Sequence, residues 1–164
     1  MPRERCLRVG ACAKKTILAC AAALALAACN VQTPADPNGA LEEVTNGTLR
    51  VGASVEPGLI RESGDELSGP LYRIIEEFSA SLRAQTSWTV AGEETLVTML
   101  EDGTIDIAVG GFTGATAWMD RAAVTRAYHG LPGMEGREIV MLVPAGENAL
   151  LGSLEAFLDG KESQ

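Results

Sequence analysis

The stretch that decides the fold is IDIAVGGFTGATAWMDRAAVTRAY, residues 105–128. Ile105, Ile107 and Val109 recur at every second position, as a strand with a buried face requires. The run stops at Gly110-Gly111, and a Thr-rich turn carrying Trp118 and Arg121 follows. A phosphate loop is excluded. It needs G-x-x-x-x-G-K-[ST] or G-x-G-x-x-G opening a helix, and Gly110-Gly111-Phe112-Thr113-Gly114 has neither the spacing nor a neighbouring lysine. What remains is a bare backbone at Gly111, hydroxyls on Thr113 and Thr116, an apolar wall from Trp118, and in Arg121 a fork matched to a carboxylate. The same residues also have a plainer reading: Trp118 as core, the threonines as helix caps, and Arg121 paired with a surface acid. Composition alone leaves both open.

Working outward, residues 48–54 (TLRVGAS) predict a strand bounded by Gly47 and Pro57-Gly58, with Ser54 opening its exit loop. Leu71, Ile74, Ile75, Phe78 and Leu82 follow a helical period after Pro70. Residues 87–92 predict a short strand. EETLVTMLEDG (93–103) predicts a helix with an acidic first turn and Gly103 past its end. Residues 105–111 and 137–144 predict two further strands, and NALLGSLEAFLDG (148–160) a closing helix. This order describes an α/β layer fold with a largely parallel sheet. Ligands of such sheets collect at the carboxyl ends of the strands, here the loops opened by Ser54 and by Gly110.

The first residues set the compartment. Arg3, Arg5, Arg8, Lys14 and Lys15 precede an apolar run from Ile17 to Ala28 that is short for a spanning helix. Leu26-Ala27-Ala28-Cys29 resembles the bacterial lipobox, which implies a signal peptide over 1–28, a lipidated Cys29, and a membrane anchor by acyl chains. Residues 29–46, with Pro34, Pro37 and Gly39, read as a tether, residues 47–160 as one domain, and 161–164 as a tail. Of the 13 Lys+Arg and 22 Asp+Glu, the expected cleavage removes five and one, leaving eight against 21 and a net charge of −13. That charge excludes nucleic acid as a partner.

Little in the chain supports catalysis. His129 is the only histidine and lies in a Gly/Pro-rich loop, with no G-x-S-x-G elbow anywhere. Past the expected cleavage no Cys/His cluster remains to hold a metal, and the adjacent acid pairs read as solvated faces. The expectation is a non-enzyme with no catalytic residues, no metal and no cofactor.

LRVGAS (49–54), GPLYRIIEEFSASL (69–82) and TLVTMLEDGTIDIAVGGFTGAT (95–116) resemble the first lobe of the extracytoplasmic solute-binding proteins of ABC transporters, the amino-acid-binding family 3. That family's G-x-x-D-x-x-x-x-G-x-T pattern is matched by Gly103, Asp106, Gly111 and Thr113. TAWMDRAAVTRAY (116–128) resembles a short subgroup's T-P-W-x-x-R-x-A-x-T-R-P-Y, with Ala117 and Ala127 in place of the prolines. The resemblance implies a single three-layer lobe of the type 2 periplasmic-binding-protein fold. The second lobe is missing, since only HGLPGMEG separates Tyr128 from Arg137. It further implies a small carboxylate or amino-acid ligand held by Ser54, Gly111, Thr113, Thr116, Trp118 and Arg121, with an ABC permease or another envelope protein as partner. Two alternatives stand beside it: a structural or regulatory envelope lipoprotein that has lost its ligand, and a periplasmic dehydratase-like enzyme.

Overall fold

The computed structural model describes residues 36–163. The expected signal peptide and Cys29 lie outside them. The elements are α1 (Ala40–Val44), β1 (Thr48–Ala53), β2 (Arg61–Ser63), β3 (Glu66–Ser68), α2 (Pro70–Ser81), β4 (Gln85–Val90), α3 (Glu93–Glu101), β5 (Ile107–Val109), β6 (Ala122–Val124), β7 (Leu142–Pro144) and α4 (Asn148–Glu162). Five strands form one sheet in the order β4-β1-β5-β7-β6, and β2 and β3 form a separate hairpin. β1 runs parallel to β4 and to β5, while β7 runs antiparallel to β5 and to β6. Four of the five strands therefore point one way, and the sheet is mostly parallel.

Strand alternation divides the sheet's two faces between two cores. Ile107 and Val109 point with Leu49 and Val51 into one core, against Ile75 and Phe78 of α2 and Leu150, Leu154 and Leu158 of α4. Ala108 and Leu142 point into the other, against Leu96, Val97 and Leu100 of α3. The result is three layers, helix–sheet–helix. Burying each large apolar side chain stabilises this arrangement by about 1.5–3 kcal/mol. α3 packs so closely that a Cβ on Gly52 would lie 2.5 Å from Leu96 Cδ2. That contact accounts for a glycine in the middle of β1, where its conformational cost would otherwise count against it.

Local signals set the helix ends. Pro70 opens α2, where the missing amide hydrogen costs nothing. Arg83, at φ 57°, turns the chain out of the helix, and the Ser79 hydroxyl donates to the Ala84 carbonyl at 3.0 Å to close the exit. Gly103, at φ 66°, ends α3 in the left-handed conformation that glycine adopts freely.

The structure departs from the sequence expectation in five places. Residues 40–46 are not tether, because Ala40–Val44 is helical with Val44 only 1% exposed. Lys161 and Glu162 are not tail but the last turn of α4; Lys161 pairs with Glu77, and Glu162 accepts the amide hydrogens of His129 and Gly130. The β2–β3 hairpin and β6 were not anticipated, for three-residue strands carry no resolvable period. β5 and β7 are three residues each, shorter than their apolar runs. Finally β7 enters antiparallel, a direction that an apolar run does not encode.

Candidate functional site

β1, β4 and β5 end side by side, so their exit loops share one rim. The Ser54 amide donates to Val109 O at 2.9 Å, and the Ala91 amide to Ala53 O at 3.1 Å. Gly110 is required there, since a Cβ would meet Ser54 Cβ at 2.8 Å and Ser54 O at 2.9 Å. Buried Phe112 anchors the loop beyond it, and its carbonyl accepts the Val140 amide at 3.3 Å.

Charge at the rim comes from residues the sequence reading did not single out. The Glu56 carboxylate lies over Gly111, 3.2 Å from where a Cβ would sit. Arg137 Nη2 donates to Glu56 Oε1 at 2.9 Å, and its Nη1 donates to Pro57 O at 2.7 Å. Glu138 accepts the Gly114 amide hydrogen. The Glu56 and Arg137 side chains are 37% and 41% exposed, so the pair stays open to exchange with solvent or ligand. Val55 and Val90, at 45% and 37% exposure, add an apolar edge. Glu56 sits in the loop opened by Ser54, which the sequence does mark. Arg137 lies 81 residues beyond Glu56, with Glu138 next to it, and no local pattern links them to that loop.

Of the expected ligand residues, Ser54 and Gly111 meet at this rim. Thr113 and Thr116 continue the same loop, tied by the Thr116 amide donating to Thr113 O at 2.9 Å. Arg121 does not join them, and Trp118 leans on the first turn of α3, which follows the β4 exit loop. Trp118 packs on the core beneath α3, with its indole nitrogen 3.5 Å from Glu93 Oε2. Arg121 forms an ion pair with Glu101, donates to Thr98 Oγ1 at 3.3 Å, and lies 5.6 Å over the Trp118 ring. For these two residues the plainer reading, core and surface ion pair, describes the placement.

Arg121 lines a cavity of about 420 Å³ at the other end of the sheet, with Arg50, Asp106, Asp120, Pro144 and Glu147. Arg50 lies four residues before Ser54 on β1, roughly 13 Å along the strand. The inner charges of this cavity are satisfied within the chain. Asp106, 2% exposed, accepts the Arg50 backbone amide at 2.7 Å and its guanidinium at Nε and Nη2. That contact holds Arg50 above its ordinary range. Glu147, 1% exposed, accepts Asn38 Nδ2 at 2.7 Å and the Ala40 amide at 3.3 Å. Burial pushes the neighbouring Asp36 carboxyl up, and its hydrogen bond with Glu147 adds to the rise. Burial also works upward on Glu147, but hydrogen bonds from Asp36, Ala40 and Asn38 outweigh it and hold that carboxyl down. His129 is exposed in its loop, and among the described residues no group of three or more His, Cys, Asp or Glu is placed to hold a metal ion.

No protein-family model matches the sequence, and no curated protein matches it. Solved structures do resemble it. The arginine-bound form of domain 1 from TmArgBP superposes with a TM-score of 0.62 at 19% identity, covering 73% of this chain and 97% of that one. An arginine-specific periplasmic binding protein of Salmonella typhimurium gives 0.60 at 12% identity, over 71% and 94%. An ancestral arginine-binding protein bound to arginine gives 0.62 at 11% identity, over 73% and 94%. At these identities the likeness is one of fold: the chain is an α/β lobe built as a single domain of the periplasmic solute-binding proteins is built.

Proposed function

We propose that the protein is an extracytoplasmic solute-binding lobe, lipid-anchored through Cys29, that takes an amino acid or small carboxylate at the rim formed by Ser54, Glu56, Gly111, Thr113 and Thr116. The observation that carries this reading is the half-exposed Glu56–Arg137 pair set over the bare backbone of Gly111. A charged pair open to solvent, beside an unshielded peptide and two exposed valines, offers both signs of charge and a short apolar contact to one small ligand. At the opposite end of the sheet both arginines are already paired, Arg50 with Asp106 and Arg121 with Glu101. Support comes also from domain 1 of TmArgBP, whose structure is an arginine-bound form. Delivery to an ABC permease is the role this reading assigns. The described residues include no helix long and apolar enough to cross a membrane.

Isothermal titration against a panel of amino acids and small carboxylates tests the reading. Saturable heat with one chemical class is expected. Gly111→Val, which fills the space under Glu56, should weaken it by about tenfold or more, about 1.4 kcal/mol. Absence of heat with every ligand, or a Gly111→Val variant that binds as tightly, would favour a chain that kept the fold and lost the ligand.

A further inference from the structure

Two glycines of the rim are not called for by backbone conformation, since neither Gly111 nor Gly114 has a positive φ. What each provides is room. At both positions a carboxylate from elsewhere in the chain sits where a side chain would begin. The Glu56 carboxylate is 3.2 Å from the Cβ position of Gly111, and Glu138 Oε1 is 3.0 Å from that of Gly114. At Gly114 the carboxylate also accepts the backbone amide hydrogen. The rim thus offers two bare stretches of peptide, and the chain's own glutamates occupy both.

Glu138 is not needed to hold this loop. Phe112, 2% exposed, anchors it in the core, and the Phe112 carbonyl accepts the Val140 amide at 3.3 Å. Glutamates that do staple backbone in this chain are placed differently. Glu162 accepts two successive amides, those of His129 and Gly130, at 2.8 and 2.9 Å. Glu147 is buried and accepts donors from Asn38 and Ala40. Glu138 is exposed, accepts one amide, and among the described residues enters no ion pair. Arg137 directly precedes it, yet that arginine turns to Glu56. A charge-assisted bond from an open carboxylate to a single amide is the contact a ligand carboxylate would make there. Thr113 and Thr116 flank the amide on the same turn.

We propose that the Gly114 amide is the carboxylate-binding subsite of the rim, and that Glu138 fills it as an internal stand-in which a ligand carboxylate displaces. The proposal rests on the reading of the rim as a solute site and adds the residue that sets its threshold. A subsite open only while Glu138 has swung away binds with an affinity reduced by that open fraction. Glu138 therefore excludes simple monocarboxylates and admits those whose second polar group engages Glu56 or Arg137.

Acetate is the probe, with the Gly114 backbone amide resonance followed in the wild type and in Glu138→Ala. The substitution should move that resonance, and acetate should return it saturably toward its wild-type position, while chloride at equal ionic strength does not. In the wild type a response should need at least about tenfold more acetate. Glu138→Gln, whose amide oxygen still accepts, should fall between the two and carries the same comparison should Glu138→Ala fail to fold. A Gly114 resonance that acetate leaves unmoved in the folded variant would overturn the proposal, as would a wild type that responds at the same acetate concentration. The amino-acid and carboxylate panel separates this outcome from the rim reading. A panel ligand that binds wild type and Glu138→Ala equally sinks the stand-in and leaves the solute site standing. Acetate rescue at Gly114 with no panel ligand bound keeps the subsite and sinks the solute.

Discussion

The two ends of the sheet carry similar residues and use them oppositely. At the amino end Asp106 and Glu147 are nearly inaccessible, and each is surrounded by donors from its own chain. At the carboxyl end Glu56 and Arg137 are each more than a third exposed, and they rest against glycine backbone rather than side chains. A buried charge that loses its partner has nowhere to turn, whereas an exposed pair exchanges partners at little cost. The first arrangement fixes a fold and the second leaves room for a ligand. Charge alone did not separate them; burial and glycine did.

The comparison breaks most sharply at Asp106. Asp106→Ala leaves the Arg50 guanidinium facing a pocket without its carboxylate, and should lower stability by about 3 kcal/mol in urea denaturation. Glu56→Gln, its counterpart at the rim, should barely move the same curve; equal losses would show the two ends to be built alike. Next comes Gly110→Ala. Its Cβ would sit 2.8 Å from Ser54 Cβ, so the variant should lose about 1–3 kcal/mol and weaken any ligand at the rim, while leaving the Arg50–Asp106 contact intact. A stable Gly110→Ala variant with unchanged binding would show that the rim tolerates displacement.

Smaller effects follow from Asp36 and Glu147. Glu147, held below 4.5, contributes stability that is present above that value and lost as pH falls through its depressed folded value. Asp36, raised from 3.8, contributes in the opposite sense: fully below 3.8, and lost as pH rises through its elevated folded value. Asp36→Asn keeps a neutral partner for Glu147 at every pH. It should therefore melt higher than the wild type at neutral pH by a few degrees at most, with the gap closing toward pH 3.8. Melting curves that run parallel across that range would refute the upward shift of Asp36. Arg121→Ala is the smallest test. With its guanidinium on Glu101, away from the rim, it should leave ligand affinity within error.

Much of the fold was legible because long periods are legible. The stripe Leu71, Ile74, Ile75, Phe78 and the run ending at Gly110-Gly111 name α2 and β5 without further information. The rim's position followed from strand ends, and Ser54 and Gly111 lie on it. Arg121 was misplaced for an identifiable reason. An arginine near a Thr-rich turn reads as a carboxylate fork, but the chain between Thr116 and Arg121 leaves the rim, and α3 offers Glu101 first. The contact of Arg137 with Pro57 was illegible for the complementary reason, since contacts across 80 residues leave no trace in local spacing. The direction of β7 was illegible too, being set by where the chain returns rather than by what it contains.

That direction bears on how the molecule comes into being. β7 lies between β5 and β6 and pairs with both, yet it is the next-to-last element of the chain. A polypeptide interrupted before Leu142 has every residue of the rim loops, but it leaves β6 without a strand neighbour and the inner face of β5 uncovered by α4. Such an intermediate exposes apolar sheet while it waits, the condition under which nascent chains stick to one another or to chaperones. Closure of the sheet therefore waits for β7 and α4, and a lobe cut short before Leu142 is an unfinished fold.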